Sequence, residues 1–216
     1  MEIQVSDRPA VWAADMITRR LADACRRRGT ASIALSGGST APALIEALVD
    51  RPLPWESITA WQVDERVAPD GHPDRNAGQL AGLPCKVRLM PVTSGDLRAA
   101  ALRYARSLPE RFDVVHLGIG DDGHTASWPP GDPGVASSAR AVESVPAFHG
   151  RPRMTLTASV VNAARARVVL AVGAGKRPIV ERWLLGDRSI PIAAVRPTST
   201  VVFLDFDAAP ACSFPT

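Results

Sequence analysis

Cysteine is scarce in this chain and lysine scarcer still. The three cysteines among 216 residues, Cys25, Cys85 and Cys212, are odd in number, far apart and without CxxC spacing. That argues against a disulfide framework or a zinc knuckle and suits a reducing compartment, so a cytoplasmic location is expected. No apolar run approaches the roughly 20 residues a membrane helix requires. The opening Met-Glu-Ile-Gln-Val-Ser-Asp also lacks the basic-then-apolar pattern of an export signal, so a soluble chain without membrane contact is expected. The formal charge is only +3, with arginines interspersed among acids, which gives no reason to expect nucleic acid. The nearest approach to a basic stripe, Arg19, Arg20, Arg26, Arg27 and Arg28, reads as the solvated face and charged end of a helix. Lys86 and Lys176 are the only lysines, which draws attention to Lys176.

What is present is an alternation of strands and helices in a length that suits one domain, residues 1–216. Trp12, Met16, Leu21 and Cys25 recur at helical spacing before Gly29, predicting a helix from about 9 to 28. The β-run 32–35 enters Ser36-Gly37-Gly38-Ser39-Thr40, and Leu44, Ile45, Leu48 and Val49 then mark a second helix. Residues 59–63 predict a strand ending at Asp64-Glu65-Arg66. A helix carrying Leu97, Ala101, Tyr104 and Leu108 follows, then a strand over 113–117 that runs into Gly118-Ile119-Gly120-Asp121-Asp122-Gly123-His124. The run 168–172 suits a strand buried on both faces, and Gly173-Ala174-Gly175-Lys176 separates it from a helix with Ile179, Val180, Trp183 and Leu184 inside. Residues 201–204 give a last strand. Residues 129–152, rich in Pro, Gly, Ala and Ser, read as a long surface connection, either a flap or an ordinary loop. The pattern predicts an α/β fold with a mostly parallel sheet covered on both faces, whose ligands collect beyond the carboxyl ends of the strands.

Four polar loops meet at that end. Ser36 to Thr40 joins a strand to a helix, so backbone N–H groups, hydroxyls and the helix dipole can converge on an anion. It also reads as a tight turn in which Ser39 or Thr40 caps the helix. Gly118 to Gly123 matches GxGxxG formally, but Trp128-Pro129-Pro130 blocks the helix that a dinucleotide site requires, and Asp121 and Asp122 would repel a pyrophosphate. The same loop delivers His124, with Asp122 near enough to orient it. An imidazole there can take a proton from water and return one to a leaving oxygen, although a lone histidine is often structural. Asp64-Glu65-Arg66 reads as ligand contact or as a local ion pair at the sheet rim. Lys176 reads as a phosphate contact or a solvated charge. His72, His116 and His149 look isolated, His116 looks like a satisfied core residue, and no histidine pair has metal-ligand spacing.

Five blocks in order, Leu35 to Thr40, Asp64-Glu65-Arg66 with Asp74-Arg75-Asn76, Gly118 to Ser127, Arg153 to Thr157 and Gly173 to Lys176, resemble the 6-phosphogluconolactonases of the glucosamine-6-phosphate isomerase/6-phosphogluconolactonase family. The resemblance implies hydrolysis of 6-phosphoglucono-δ-lactone in the oxidative pentose phosphate pathway. The implied fold is the Rossmann-like α/β type shared with glucosamine-6-phosphate deaminase. It also implies a general-base role for His124, ligand-binding roles for Arg66, Gly37, Gly38, Ser39, Thr40 and Lys176, and a phosphate contact at Arg153. No metal or organic cofactor is expected. The expected partner is a small-molecule sugar-phosphate lactone, and the expected assembly a monomer or weak homo-oligomer. Departures fall at the pocket rim: Ala41-Pro42 replaces a proline directly after the loop, Arg75 precedes Asn76 where the family has serine, and Ser127-Trp128-Pro129-Pro130 replaces Ser-Leu-Phe-Pro. The related isomerases and deaminases carry a carboxylate five places after the histidine; here that place is Pro129, which cannot do acid–base work. A non-catalytic sugar-phosphate sensor on the same fold is the other alternative.

Overall fold

In a computed structural model that describes residues 1–210, the apolar runs form the inner strands of a parallel sheet. Cys212 lies outside the described residues. The elements follow in the order β1 (Glu2–Val5), α1 (Pro9–Arg28), β2 (Ala31–Leu35), α2 (Ala41–Val49), β3 (Ile58–Gln62), β4 (Asp64–Arg66), α3 (Ala77–Leu80), β5 (Lys86–Arg88) and α4 (Leu97–Ala105). Then come β6 (Val114–Gly118), α5 (Pro133–Ser137), β7 (Val142–Phe148), β8 (Arg151–Leu156), α6 (Ala158–Ala163), β9 (Ala166–Ala171), α7 (Arg177–Leu184) and β10 (Thr200–Leu204). Seven strands make the main sheet in the order β1-β10-β9-β6-β2-β3-β5, every pair parallel. The chain runs from β2 outward through β3 and β5, then returns to the other flank with β6, β9 and β10. The switch point therefore lies between β2 and β6, where an open α/β sheet leaves a crevice beyond its carboxyl ends.

Side chains in the inner strands alternate between two apolar cores, which is why the runs are continuous. Ala31, Ile33 and Leu35 of β2 join Val168 and Leu170 of β9 under α1 and α2. Ala34, Val115, Leu117 and Val169 face the other way, toward α4, α7 and a second sheet. Each fully buried Leu or Ile contributes about 1.5–3 kcal/mol. Helix α1 opens with Pro9 at its first turn and closes on Gly29, whose N–H bonds to Cys25 O, with three arginines in the last turn facing the negative end of the dipole. Its buried stripe is Ala13, Ala14, Ile17, Leu21 and Ala24, so the phase differs slightly from the expected one: Trp12 is 45% exposed.

Three further expectations are corrected. Asp64-Glu65-Arg66 does not end β3 but forms its own strand, β4, in an antiparallel sheet ordered β4-β8-β7. Val63 is the joint: its N–H bonds to Leu35 O in the main sheet, and its carbonyl accepts from Leu156 N in the small one. The stretch 129–152 is not a structureless connection, since it contains α5 and most of the β7–β8 hairpin. His116 is buried in β6 as expected but is not satisfied, for neither ring nitrogen has a hydrogen-bond partner among the described residues. Burial alone pushes its pKa down to about 4.

Candidate functional site

The loops after β2 and β6 border one cavity, lined by residues 36–40, 118–120 and 124–126 together with Asp64, Arg66, Asn76, Arg153, Leu170 and Lys176. Every candidate site residue from the sequence except Asp122 lines it, and Asp122 binds His124 from behind. Gly37 has no room for a side chain, because a Cβ would fall 2.2 Å from Oδ1 of Asn76, and Gly38 adopts φ 110°. Gln79 clamps the loop: Gly38 N donates to Oε1 of Gln79 at 3.0 Å, and Nε2 of Gln79 donates back to Gly38 O at 3.3 Å. Thr40 precedes α2 without a side-chain cap, so its hydroxyl is not used in the way the tight-turn alternative supposed. Ser36 lines the cavity, and its buried hydroxyl has no partner among the described residues.

His124 is held by Asp122. Oδ1 of Asp122 accepts the backbone N–H of His124 at 3.0 Å and stands 2.5 Å from its Nδ1. Partial burial works against ionisation of Asp122, but the backbone N–H and imidazole of His124 outweigh it and hold the carboxyl below its usual range. With Nδ1–H directed at Asp122, Nε2 is left as the acceptor. Phe148 packs edge-on against the ring, with centroids 5.2 Å apart. The Gly120 and Gly123 N–H groups are not free to meet an oxyanion: Gly120 N donates to His124 O at 2.7 Å, and Gly123 N to Gly120 O at 2.9 Å. They form the turn that carries the histidine.

The β4 residues divide their work. Glu65 is fully buried and structural, accepting from Gln62 Nε2 and from the N–H groups of Arg66, Asn76 and Ala77 at 2.7–2.8 Å, with Arg75 Nε at 3.1 Å. Arg66 reaches the cavity with Nη1 fixed on Asp74 O at 2.8 Å and Asn76 Oδ1 at 2.9 Å. Asp64 is buried on Ser127, whose Oγ–H donates to Oδ2 at 2.6 Å, and lies 3.9 Å from Arg153 Nη1. Burial raises its pKa, against the opposing pull of Ser127, Arg153 and Arg66. Arg153 donates to Phe148 O at 3.0 Å and stacks over the Phe148 ring. Lys176 sits in a short 3-10 turn with Nζ 2.6 Å from Oδ1 of the exposed Asp121, across the loop that carries His124.

His149 is not isolated. It lies on the β7–β8 turn with Nε2 3.6 Å from Oδ2 of Asp122 and its ring centre 5.4 Å from that of His124. His72 is engaged as well, its Nδ1 accepting from Asp74 N at 3.1 Å. Asp122, His124 and His149 bring ligand-type atoms within 4.8 Å of one another. Two ligands of one tetrahedral ion, each about 2.1 Å from it, stand roughly 3.4 Å apart. The 2.5 Å between Asp122 and His124 is a hydrogen-bond spacing instead. Sequence reasoning also passed over Gln79 as part of the site.

Fold and site together define the class: a doubly wound α/β protein with a polar crevice at its switch point, where one oriented imidazole shares a cavity with a glycine-rich turn and basic side chains. Residues 6–204 match the family described as glucosamine-6-phosphate isomerases/6-phosphogluconolactonase, and the chain belongs to that family. It is 37% identical over 179 residues to a 6-phosphogluconolactonase of Synechocystis sp., covering 74% of each chain. A 6-phosphogluconolactonase structure from Shewanella baltica superposes with a TM-score of 0.86 at 25% identity, covering 95% of this chain and 97% of that one. A monomeric glucosamine-6-phosphate deaminase superposes at 0.83 with 18% identity, covering 96% and 98%, which shows the fold in common. Among the described residues no helix is long and apolar enough to cross a membrane.

Proposed function

We propose that the protein hydrolyses 6-phosphoglucono-δ-lactone to 6-phosphogluconate, the lactonase step of the oxidative pentose phosphate pathway, as a single cytoplasmic domain without metal or organic cofactor. The observation that carries this reading is the Asp122–His124 pair, 2.5 Å apart, beside the cavity that also holds the Ser36–Thr40 turn, Arg66 and Lys176. The phosphate docks on that turn and on Lys176, where the unpartnered Ser36 hydroxyl and the start of α2 supply further donors. Binding at the far end of the substrate then fixes the lactone carbonyl near His124.

Nε2 of His124 removes a proton from water as the oxygen attacks the carbonyl carbon. Asp122 stabilises the imidazolium that forms, and Arg66 stabilises the oxyanion. Collapse of the tetrahedral intermediate breaks the bond to the ring oxygen, which takes the proton back from His124. The acid of the product and the hydroxyl of the opened ring account for the added water. Pro129, standing where the isomerases and deaminases carry a carboxylate, favours lactone hydrolysis over isomerisation. The test is a rate assay with phosphorylated and plain gluconolactone against a no-enzyme control, because such lactones also open spontaneously. Acceleration confined largely to the phosphorylated lactone is expected. Ammonia release from glucosamine 6-phosphate, or binding without turnover, would displace the reading.

A further inference from the structure

We propose that His149 is a positioning residue for His124, acting through the carboxylate that the two imidazoles share; the inference rests on the reading of His124 as the general base. Oδ1 of Asp122 is committed to His124, by the backbone N–H at 3.0 Å and by Nδ1 at 2.5 Å. The other oxygen, Oδ2, faces Nε2 of His149 at 3.6 Å. His149 takes a left-handed φ of 49° ahead of Gly150 at 77°. A glycine or asparagine meets such a turn with less strain. The turn sets an imidazole beside Asp122, its ring tilted 53° against Phe148 with centroids 4.2 Å apart, and Phe148 itself packs on His124.

Neutral His149 leaves the charge of Asp122 to His124, whose imidazolium that charge stabilises during turnover. Protonated His149 draws on the same carboxylate and repels the imidazolium, whose ring centre is 5.4 Å away. The other charged groups nearby are already engaged. Arg153 stacks over Phe148 and faces Asp64, Arg151 binds Asp74 beside His72, and Lys176 binds Asp121. Asp122 and His124 are therefore the titrating groups that face His149 among the described residues. A proton on His149 therefore weakens the base, and a proton on His124 blocks it.

The experiment is the pH dependence of kcat for the wild type, H149N and H149K, with the spontaneous rate subtracted at each pH. Asparagine tolerates the left-handed backbone, and lysine fixes a positive charge beside Asp122. Protonation of His149 in the wild type is expected to lower kcat about fivefold, a step that H149N lacks, while protonation of His124 abolishes activity with a slope of one in log kcat in both. H149K is expected to show kcat reduced about fivefold on the plateau, the effect of one charge near 4 Å in a water-like medium. Superimposable acid limbs for the wild type and H149N, or wild-type kcat in H149K, would overturn the proposal. H124A is measured alongside. Lost turnover there with unaltered His149 profiles overturns this inference alone, whereas retained turnover removes the functional reading and this inference with it.

Discussion

A methyl group placed on Gly120 would sit 2.0 Å from Nδ1 of His124 and 2.7 Å from Oδ1 of Asp122. The backbone at Gly120 is thus the floor on which the imidazole lies, and its N–H is tied to the histidine's own carbonyl. Any side chain there must displace the ring. Gly120→Ala is expected to lower kcat by at least about tenfold with KM little changed, since displacements near 1 Å cost rates on the order of 100-fold. Steady-state kinetics with a Tm control checks this, and wild-type kcat would mean that the ring position does not matter.

Lys176 is bound to Asp121 before any ligand arrives, so phosphate binding exchanges one anion for another. A charge-assisted contact contributes about 1.5–3 kcal/mol. Lys176→Ala should raise KM for the phosphorylated lactone by roughly tenfold or more and leave hydrolysis of the plain lactone nearly as it was. Equal effects on both substrates would remove the phosphate assignment.

Glu65 carries stability instead of chemistry. Its carboxylate collects four hydrogen bonds and the buried Arg75, whose other partners are the Ala68 carbonyl and the exposed Asp70. Glu65→Ala removes the buried counter-charge of that guanidinium and is expected to cost ~3–5 kcal/mol in denaturant unfolding. A loss below about 1 kcal/mol would contradict the buried-pair account.

His116 makes stability depend on pH. Its folded pKa is pushed from 6.5 down to about 4, so the unfolded chain binds the proton first as pH falls. The stabilisation is complete above pH 6.5 and is lost as pH drops toward 4, an effect of ~3 kcal/mol from this one group. His116→Leu should lose less stability than the wild type over that window, as unfolding at pH 7, 5.5 and 4 would reveal. Parallel declines would mean that His116 is protonated or partnered in the native state.

The parts of the fold that could be read from sequence are those where local pattern and tertiary role agree. Runs such as 168–171 are apolar on both faces because both faces are buried, and Ser36 to Thr40 and Gly118 to His124 carry glycines between a strand end and polar side chains. The β7–β8 hairpin was hidden because Pro146, Gly150 and Pro152 break its alternation, and its apolar face is completed only by contact with the main sheet. Asp64 to Arg66 looked like the end of β3 because no glycine or proline marks Val63, whose two backbone groups serve different sheets. His149 seemed isolated since only the hairpin turn carries it to Asp122, 27 residues earlier in the chain. The roles of Glu65 and Gln79 arise from long-range hydrogen bonds that no local pattern records.

The central claim is that one imidazole, held by Asp122, activates water against a lactone gripped by its phosphate. The most direct test is kcat for His124→Ala on 6-phosphoglucono-δ-lactone, corrected for spontaneous opening. A fall of ~100-fold or more, with only a modest change in KM, is the predicted result. Turnover equal to that of the wild type would contradict it.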